Sequence, residues 1–167
     1  TSDVDGQFAR AGFDARRIAE CHGSIHYLQC LEGCRDEVWP AEEFDPQVDA
    51  ESCRLRSGLP HCPHCGAVAR PNILMFDDWD WLGRRSLEQH ECLRSWLGRV
   101  GRLLVIEIGA GTAIPTVRRM SESVGGRLIR INPDEPRVGG AEGVSLACGG
   151  LEALAAIEAA WRTARAG

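Results

Sequence analysis

No lysine occurs among the 167 residues; all 19 cationic side chains are arginines. The chain therefore has no lysine of its own to be acylated, and the bias reads as that of a GC-rich genome. Long apolar runs are missing too. Those that exist, such as Leu103–Ile106 with Ile108 beyond Glu107, are far shorter than the roughly 20 residues a membrane-spanning helix needs, so no membrane partner is expected. No basic segment followed by an apolar one opens the chain, so no secretory signal is legible. A net charge of −5 and a pI near 5.5 argue against the clustered basic face of a nucleic-acid binder, and no nucleic acid is expected as a partner.

What is present is a globular composition, 44% hydrophobic and 26% charged, enough for one domain or a domain with a small module. Eight cysteines raise two alternatives, a disulfide scaffold or metal ligation. Cys30 and Cys34 form one close pair, and after 27 intervening residues Cys62 and Cys65 form another. Two short loops of this kind wrap four thiolates onto one tetrahedral Zn²⁺, and a closed four-sulfur site leaves no position for chemistry. The metal spacing, with no export signal, favours reduced thiols, one structural zinc per chain and a cytoplasmic location. His61, His64 and Cys53 compete for one ligand place. Cys21, Cys53, Cys92 and Cys148 read as small buried apolar residues.

Along the chain, Gln7 to Gly12 reads as a short helical patch, and Arg17–Cys21 and Ser24–Gln29 as strands. Residues 35–61 form an acidic, proline-broken insert. Asn72–Phe76 reads as a buried strand ending at Asp77–Asp78. Asp78 or Asp80 is expected to cap a helix running to Val100. Leu103–Ile108 has the pattern of a fully buried parallel strand, followed by the turn Gly109–Thr112 and a helix from Pro115 to Ser123. A strand at Arg127–Ile131, a glycine-rich loop at 139–143, a strand at 144–147 and an amphipathic helix at 151–166 complete the series. Trp79, Trp81, Trp96 and Trp161 are expected as core anchors.

Strands alternating with helices imply a parallel sheet covered on both faces. Ligands of such sheets lie beyond the carboxyl ends of the strands. On that reading Asp3–Asp5, His22, Asp77, Gly109–Thr112 and Asn132 follow strands and converge on one rim. Backbone N–H groups of Gly109, Gly111 and Thr112, at a helix start, suit a phosphate or ribose; the alternative is a plain strand-to-helix turn. Met75, Phe76 and Asp77 would edge a groove that an extended peptide could enter as an added strand. For the paired aspartates the alternative is an acid-rich helix start.

These residues, in this order, resemble the sirtuin family of NAD-dependent protein deacylases. Thr1-Ser2-Asp3-Val4-Asp5-Gly6 is similar to the family's Thr-Gln-Asn-Ile-Asp-Gly loop, and Cys21-His22-Gly23 to its catalytic Leu-His-Gly, eight residues before the first zinc cysteine. Arg70-Pro71-Asn72-Ile73-Leu74-Met75-Phe76 resembles the substrate-loop strand, Gly109 to Pro115 the ribose and phosphate loop, and Ile131-Asn132-Pro133 the adenosine-ribose contact. The fold the resemblance implies is α/β: a Rossmann-like parallel sheet, incomplete at the N-terminus, over residues 1–24 and 72–167, with a small zinc-binding module inserted at 25–71. The family's first loop, Gly-Ala-Gly-x-Ser, has no counterpart here, and an N-terminal segment or a separate chain is expected to complete the NAD site.

By the same resemblance, the activity is NAD-dependent lysine deacylation, giving nicotinamide and O-acyl-ADP-ribose from an acyl-lysine protein or peptide. His22 is implied as general base, a role suited to an imidazole, which as a class titrates near neutrality. Ser2, Asp3, Asp5, Gly109, Gly111, Thr112, Asn132 and Cys148 are implied around NAD⁺, and Met75, Phe76 and Asp77 around the peptide. Ser2-Asp3 in place of Gln-Asn removes two amides and adds a negative charge beside the nicotinamide ribose. The other readings are an NAD-cleaving or ADP-ribosyl-transferring enzyme on the same scaffold, and a catalytically inactive module that binds a partner.

Overall fold

The computed structural model describes residues 1–139 and 143–166; most of the glycine-rich loop expected at 139–143 lies outside the described residues. The chain falls into two compact units, Thr1–Trp96 and Leu97–Gly167.

The first unit is built on an antiparallel sheet. Strand β1 (Gly23–Cys30) lies between β2 (Val38–Pro40) and β5 (Ala69–Ile73). The register pairs Leu28 with Trp39 and with Pro71. Pro71 has no N–H to give, which an edge strand such as β5 tolerates. A short hairpin of β3 (Val48–Asp49) and β4 (Arg54–Leu55) stands in the acidic insert. Before the sheet come a one-turn helix α1 (Gln7–Arg10) and a 3₁₀ turn (Ala15–Arg17).

No strand forms at 17–21. Ala19 instead accepts a bond from the Thr1 amino group at 2.7 Å, and Cys21 N–H donates to the Thr1 carbonyl at 3.0 Å. Local alternation is matched here by only this isolated pairing with the first residues.

Polar side chains close the first unit. Gln29 and Asn72, both fully enclosed, are joined by Asn72 Nδ2 donating to Gln29 Oε1 at 2.8 Å. Gln29 Nε2 donates to the Asp80 carbonyl at 2.8 Å, Leu82 N–H to Gln29 Oε1 at 3.1 Å, and Asn72 Nδ2 to the Leu82 carbonyl at 3.0 Å. Buried amides call for partners; both Gln29 atoms and Asn72 Nδ2 find them in each other and in the loop at 80–82, while Asn72 Oδ1 has none among the described residues. The backbone there is held by these bonds, and helix α2 (Arg84–Leu97) starts later than expected.

Asp78 does not cap the helix. Both of its oxygens take the Arg70 guanidinium, at 2.7 and 2.8 Å. The first turn of α2 is fixed by Ser86 Oγ donating to the Glu20 carbonyl at 2.8 Å and by Arg85 reaching the Glu20 carboxylate at 2.5 Å.

The second unit carries the parallel sheet. Strands β6 (Leu104–Ile108), β7 (Arg127–Ile131) and β8 (Val144–Leu146) pair in that order, with α3 (Thr116–Ser123) after β6 and α4 (Gly150–Ala166) after β8. The strand expected to be buried on both faces is not. Leu104, Ile106 and Ile108 are exposed, and the buried position of β6 is Glu107. Side chains alternate along a strand, and β6 turns its carboxylate, not its isoleucines, inward. The tryptophans also depart from expectation: Trp79, Trp96 and Trp161 are exposed, Trp79 at 92%.

Candidate functional site

Cys30 closes β1, and Cys34 follows a turn in which Gly33 N–H donates to the Cys30 carbonyl. The second pair is shaped alike, with Gly66 N–H donating to Cys62 O at 3.0 Å and Cys62 N–H to Ala67 O at 2.7 Å. The four sulfurs lie within 4.8 Å of one another, with Cys30 and Cys65 at 3.6 Å and Cys34 and Cys62 at 3.5 Å. Zn–S bonds of about 2.3 Å in a tetrahedron put sulfurs about 3.8 Å apart. The cluster fits a structural zinc.

The rival ligands are engaged elsewhere. His61 Nδ1 bonds the Gly66 carbonyl at 3.0 Å, His64 Nε2 meets Glu37 at 2.6 Å, and Cys53 stands exposed in the hairpin turn. N–H groups of Cys65 and His64 bring the Cys62 thiol down to about 6, while its neighbouring sulfurs, Cys65 first, push Cys34 up to about 12. Four thiols this close do not ionise together without a cation. Among the leftover cysteines Cys21 is buried as expected, its thiol pushed up by desolvation; Cys53 and Cys92 are exposed instead.

His22 sits half-buried in the turn before β1, not after a strand. Its carbonyl accepts Leu74 N–H at 2.9 Å, tying it to the segment that carries Met75 and Phe76. Gly23, at φ 80°, leaves no room for a side chain, since a Cβ there would run into the Asn72 carbonyl oxygen. The N-terminal loop lies beside β1: Ile25 N–H donates to Val4 O at 2.9 Å, and His26 Nε2 bonds Asp5 O at 3.0 Å. Asp3 and Asp5 are exposed, Ser2 half-buried. The two aspartates line a cavity of ≈ 60 Å³ together with Thr1, Gly6, Phe8 and Glu20.

The expected strand at 72–76 stops at Ile73. Met75 N–H turns onto Asp78 at 3.3 Å and Asp77 adopts φ 55°, leaving Met75 and Phe76 exposed, Phe76 at 84%. Arg70 beside Asp78 holds its carboxyl below the usual range.

In the second unit the turn Gly109–Thr112 follows β6 and Asn132 follows β7, so both lie at the carboxyl end of the parallel sheet. Gly109 N–H donates to Ile131 O at 2.9 Å and Asn132 Nδ2 to Ala110 O at 3.2 Å. Asn132 Oδ1 in turn accepts the N–H groups of Asp134 and Glu135, each at 2.9 Å. Cys148 is half-buried between β8 and α4.

Glu135 is the residue that sequence reasoning missed. Its carboxylate accepts Thr112 N–H at 2.8 Å and Thr112 Oγ–H at 2.5 Å, which holds it below the usual carboxylate range. The two Thr112 donors are thus met by an acid 23 residues away. No local pattern signals so distant a partner.

A family model described as the Sir2 family matches residues 1–92. An NAD-dependent protein deacylase of Thermus thermophilus is 27% identical over 94% of this chain and 54% of its own length. A similar protein of Aquifex aeolicus is 26% identical over 81% and 49%. A probable bifunctional ADP-ribose hydrolase/ADP-ribosyltransferase of Fusarium oxysporum f. sp. cubense is 30% identical over 71% of this chain and 21% of its own. The chain spans about half the length of the deacylases it matches. Among solved structures, a Sir2 homolog–NAD complex aligns over 98% of this chain and 57% of its own, at 25% identity and a TM-score of 0.64. A Sir2 homologue–ADP ribose complex aligns over 99% and 60%, at 23% identity and 0.65.

Proposed function

Because the chain belongs to the Sir2 (sirtuin) family, we propose that it serves as an NAD-dependent protein lysine deacylase, releasing nicotinamide and forming O-acyl-ADP-ribose. The observation that carries the reading is the turn Gly109–Thr112 with Asn132 at the carboxyl ends of β6 and β7, where α/β sheets take nucleotides. Gly109, Gly111, Thr112 and Asn132 hold the adenosine side of NAD⁺ in this reading, with Cys148 behind the adenine, and Ser2, Asp3 and Asp5 face the nicotinamide ribose. Contact at Thr112 requires its two donors to leave Glu135. His22 acts as general base toward a ribose hydroxyl. Its carbonyl bond to Leu74 supports a tie between base and peptide segment, in which Met75, Phe76 and Asp77 receive an acyl-lysine peptide.

The zinc lobe, residues 25–71, is structural in this reading, and a further N-terminal segment, in this chain or another, supplies the pyrophosphate contacts. A cytoplasmic setting goes with this reading because four reduced thiols at metal spacing suit a reducing compartment. No helix among the described residues is long and apolar enough to cross a membrane. The fungal relative's name favours one second reading, ADP-ribosyl transfer or NAD cleavage on the same scaffold.

Nicotinamide release from NAD⁺, measured with and without an acetyl-lysine peptide, separates the two. Peptide-dependent release that His22→Ala lowers by about 10²-fold or more is expected. Release that is independent of peptide supports the second reading, and turnover unchanged in His22→Ala removes the assignment of the base.

A further inference from the structure

We propose that Arg118 and Arg130, both set against the buried Glu107, are positioning residues that hold the 132–137 loop on the Gly109–Thr112 turn. The inference rests on the reading of that turn as the nucleotide contact, and adds the side chains that fix its geometry.

The Glu107 side chain is 0% exposed and that of Arg130 3%. One Glu107 oxygen accepts Arg130 Nε; the other accepts Arg130 Nη2 at 3.0 Å and the Ser121 hydroxyl. The α3 residue Arg118 brings its Nε to 3.9 Å from the first oxygen. Packing strand on helix does not call for this: well-packed apolar residues in place of a buried ion pair are often neutral or stabilising. What the ions add is a set of connections outward. Arg130 Nη1 donates to the Arg137 carbonyl at 2.7 Å, and Arg118 Nη2 donates to the Glu135 carbonyl.

Both carbonyls belong to the loop that carries Asn132 and Glu135. Glu135 is therefore pinned twice, through its backbone by Arg118 and through its side chain by Thr112. The guanidinium fork suits this, since one planar group meets donors' partners on two elements at once. Arg118 is the cleaner probe of the two: without it Glu107 keeps Arg130, so no buried carboxylate is left unpaired.

Amide hydrogen exchange and calorimetric titration with ADP-ribose, on the full chain and on Arg118→Met, test the proposal. In Arg118→Met the amides of Thr112, Asp134 and Glu135 are expected to exchange about tenfold faster or more, with β6 and β7 unchanged. ADP-ribose affinity is expected to rise by about tenfold, because a less firmly held Glu135 gives up the two Thr112 donors more readily, with little change in the thermal midpoint. A merely structural role would lower the midpoint and leave affinity and loop protection together. Arg118→Lys, which keeps the charge and loses the fork, serves the same test if the methionine variant does not fold. Loop amides as protected as in the unsubstituted chain overturn the proposal. If the unsubstituted chain binds no ADP-ribose, the nucleotide reading of the turn fails, and the exchange result still decides the positioning role.

Discussion

At position 23 a side chain has nowhere to go. Gly23 combines a left-handed φ of 80° with a carbonyl oxygen of Asn72 in the space a Cβ would fill. Gly23→Ala is expected to cost about 3 kcal/mol or more, read from urea denaturation of the substituted chain; a loss under about 1 kcal/mol would mean that β1 and β5 part there without strain. Asp78 makes the opposite point, that a residue's neighbours in sequence need not be its partners. It looked like a helix cap and is the bidentate acceptor of Arg70. Its carboxyl is held low by that pairing, so the stability it contributes is present above the unfolded carboxyl range, near 4, and is lost as pH falls through the lower folded value. Asp78→Asn should cost ~2 kcal/mol at neutral pH and flatten the acid limb of stability against pH. An unchanged acid limb would assign that slope to other carboxyls.

Among the elements, the zinc knuckles were the most legible, because four ligands in two short loops depend on spacing alone. Folding of the lobe should be coupled to the metal. Metal analysis of the native chain should give one zinc, and its removal by a chelator should expose four reactive thiols and strip exchange protection from β1, β2 and β5. Protection that survives metal removal would make the cluster dispensable. The strands were less legible. Alternation suggested a strand at 17–21 that has only an isolated backbone pairing, and a buried run at 72–76 that ends early because Asp78 turns Met75 back. Helix α2 begins late because the amides of Gln29 and Asn72 take up the backbone of the preceding loop. None of these partners lies within a window that a periodic pattern reads.

For the whole molecule, the expected parallel sheet is present over 104–146, while β1 and β5 belong to an antiparallel sheet of their own. The strand order matters because the Gly109–Thr112 turn and Asn132 come together only through the pairing of β6 with β7. The test of the proposed peptide-dependent release of nicotinamide belongs to this scale, since it is read on the chain as a whole. The chain by itself determined what is encoded locally: the cysteine spacing, the glycines of tight turns, the strand–turn–helix at 104–123 and the motifs that resemble sirtuins. Only the tertiary structure decided where the charges go. Glu107 inside β6, Arg130 and Arg118 on the carbonyls of the 132–137 loop, and Glu135 on Thr112 are unions between residues 7 to 23 positions apart. A buried ion is tolerated only where an opposite charge meets it, and which charges meet is settled by packing, not by order along the chain.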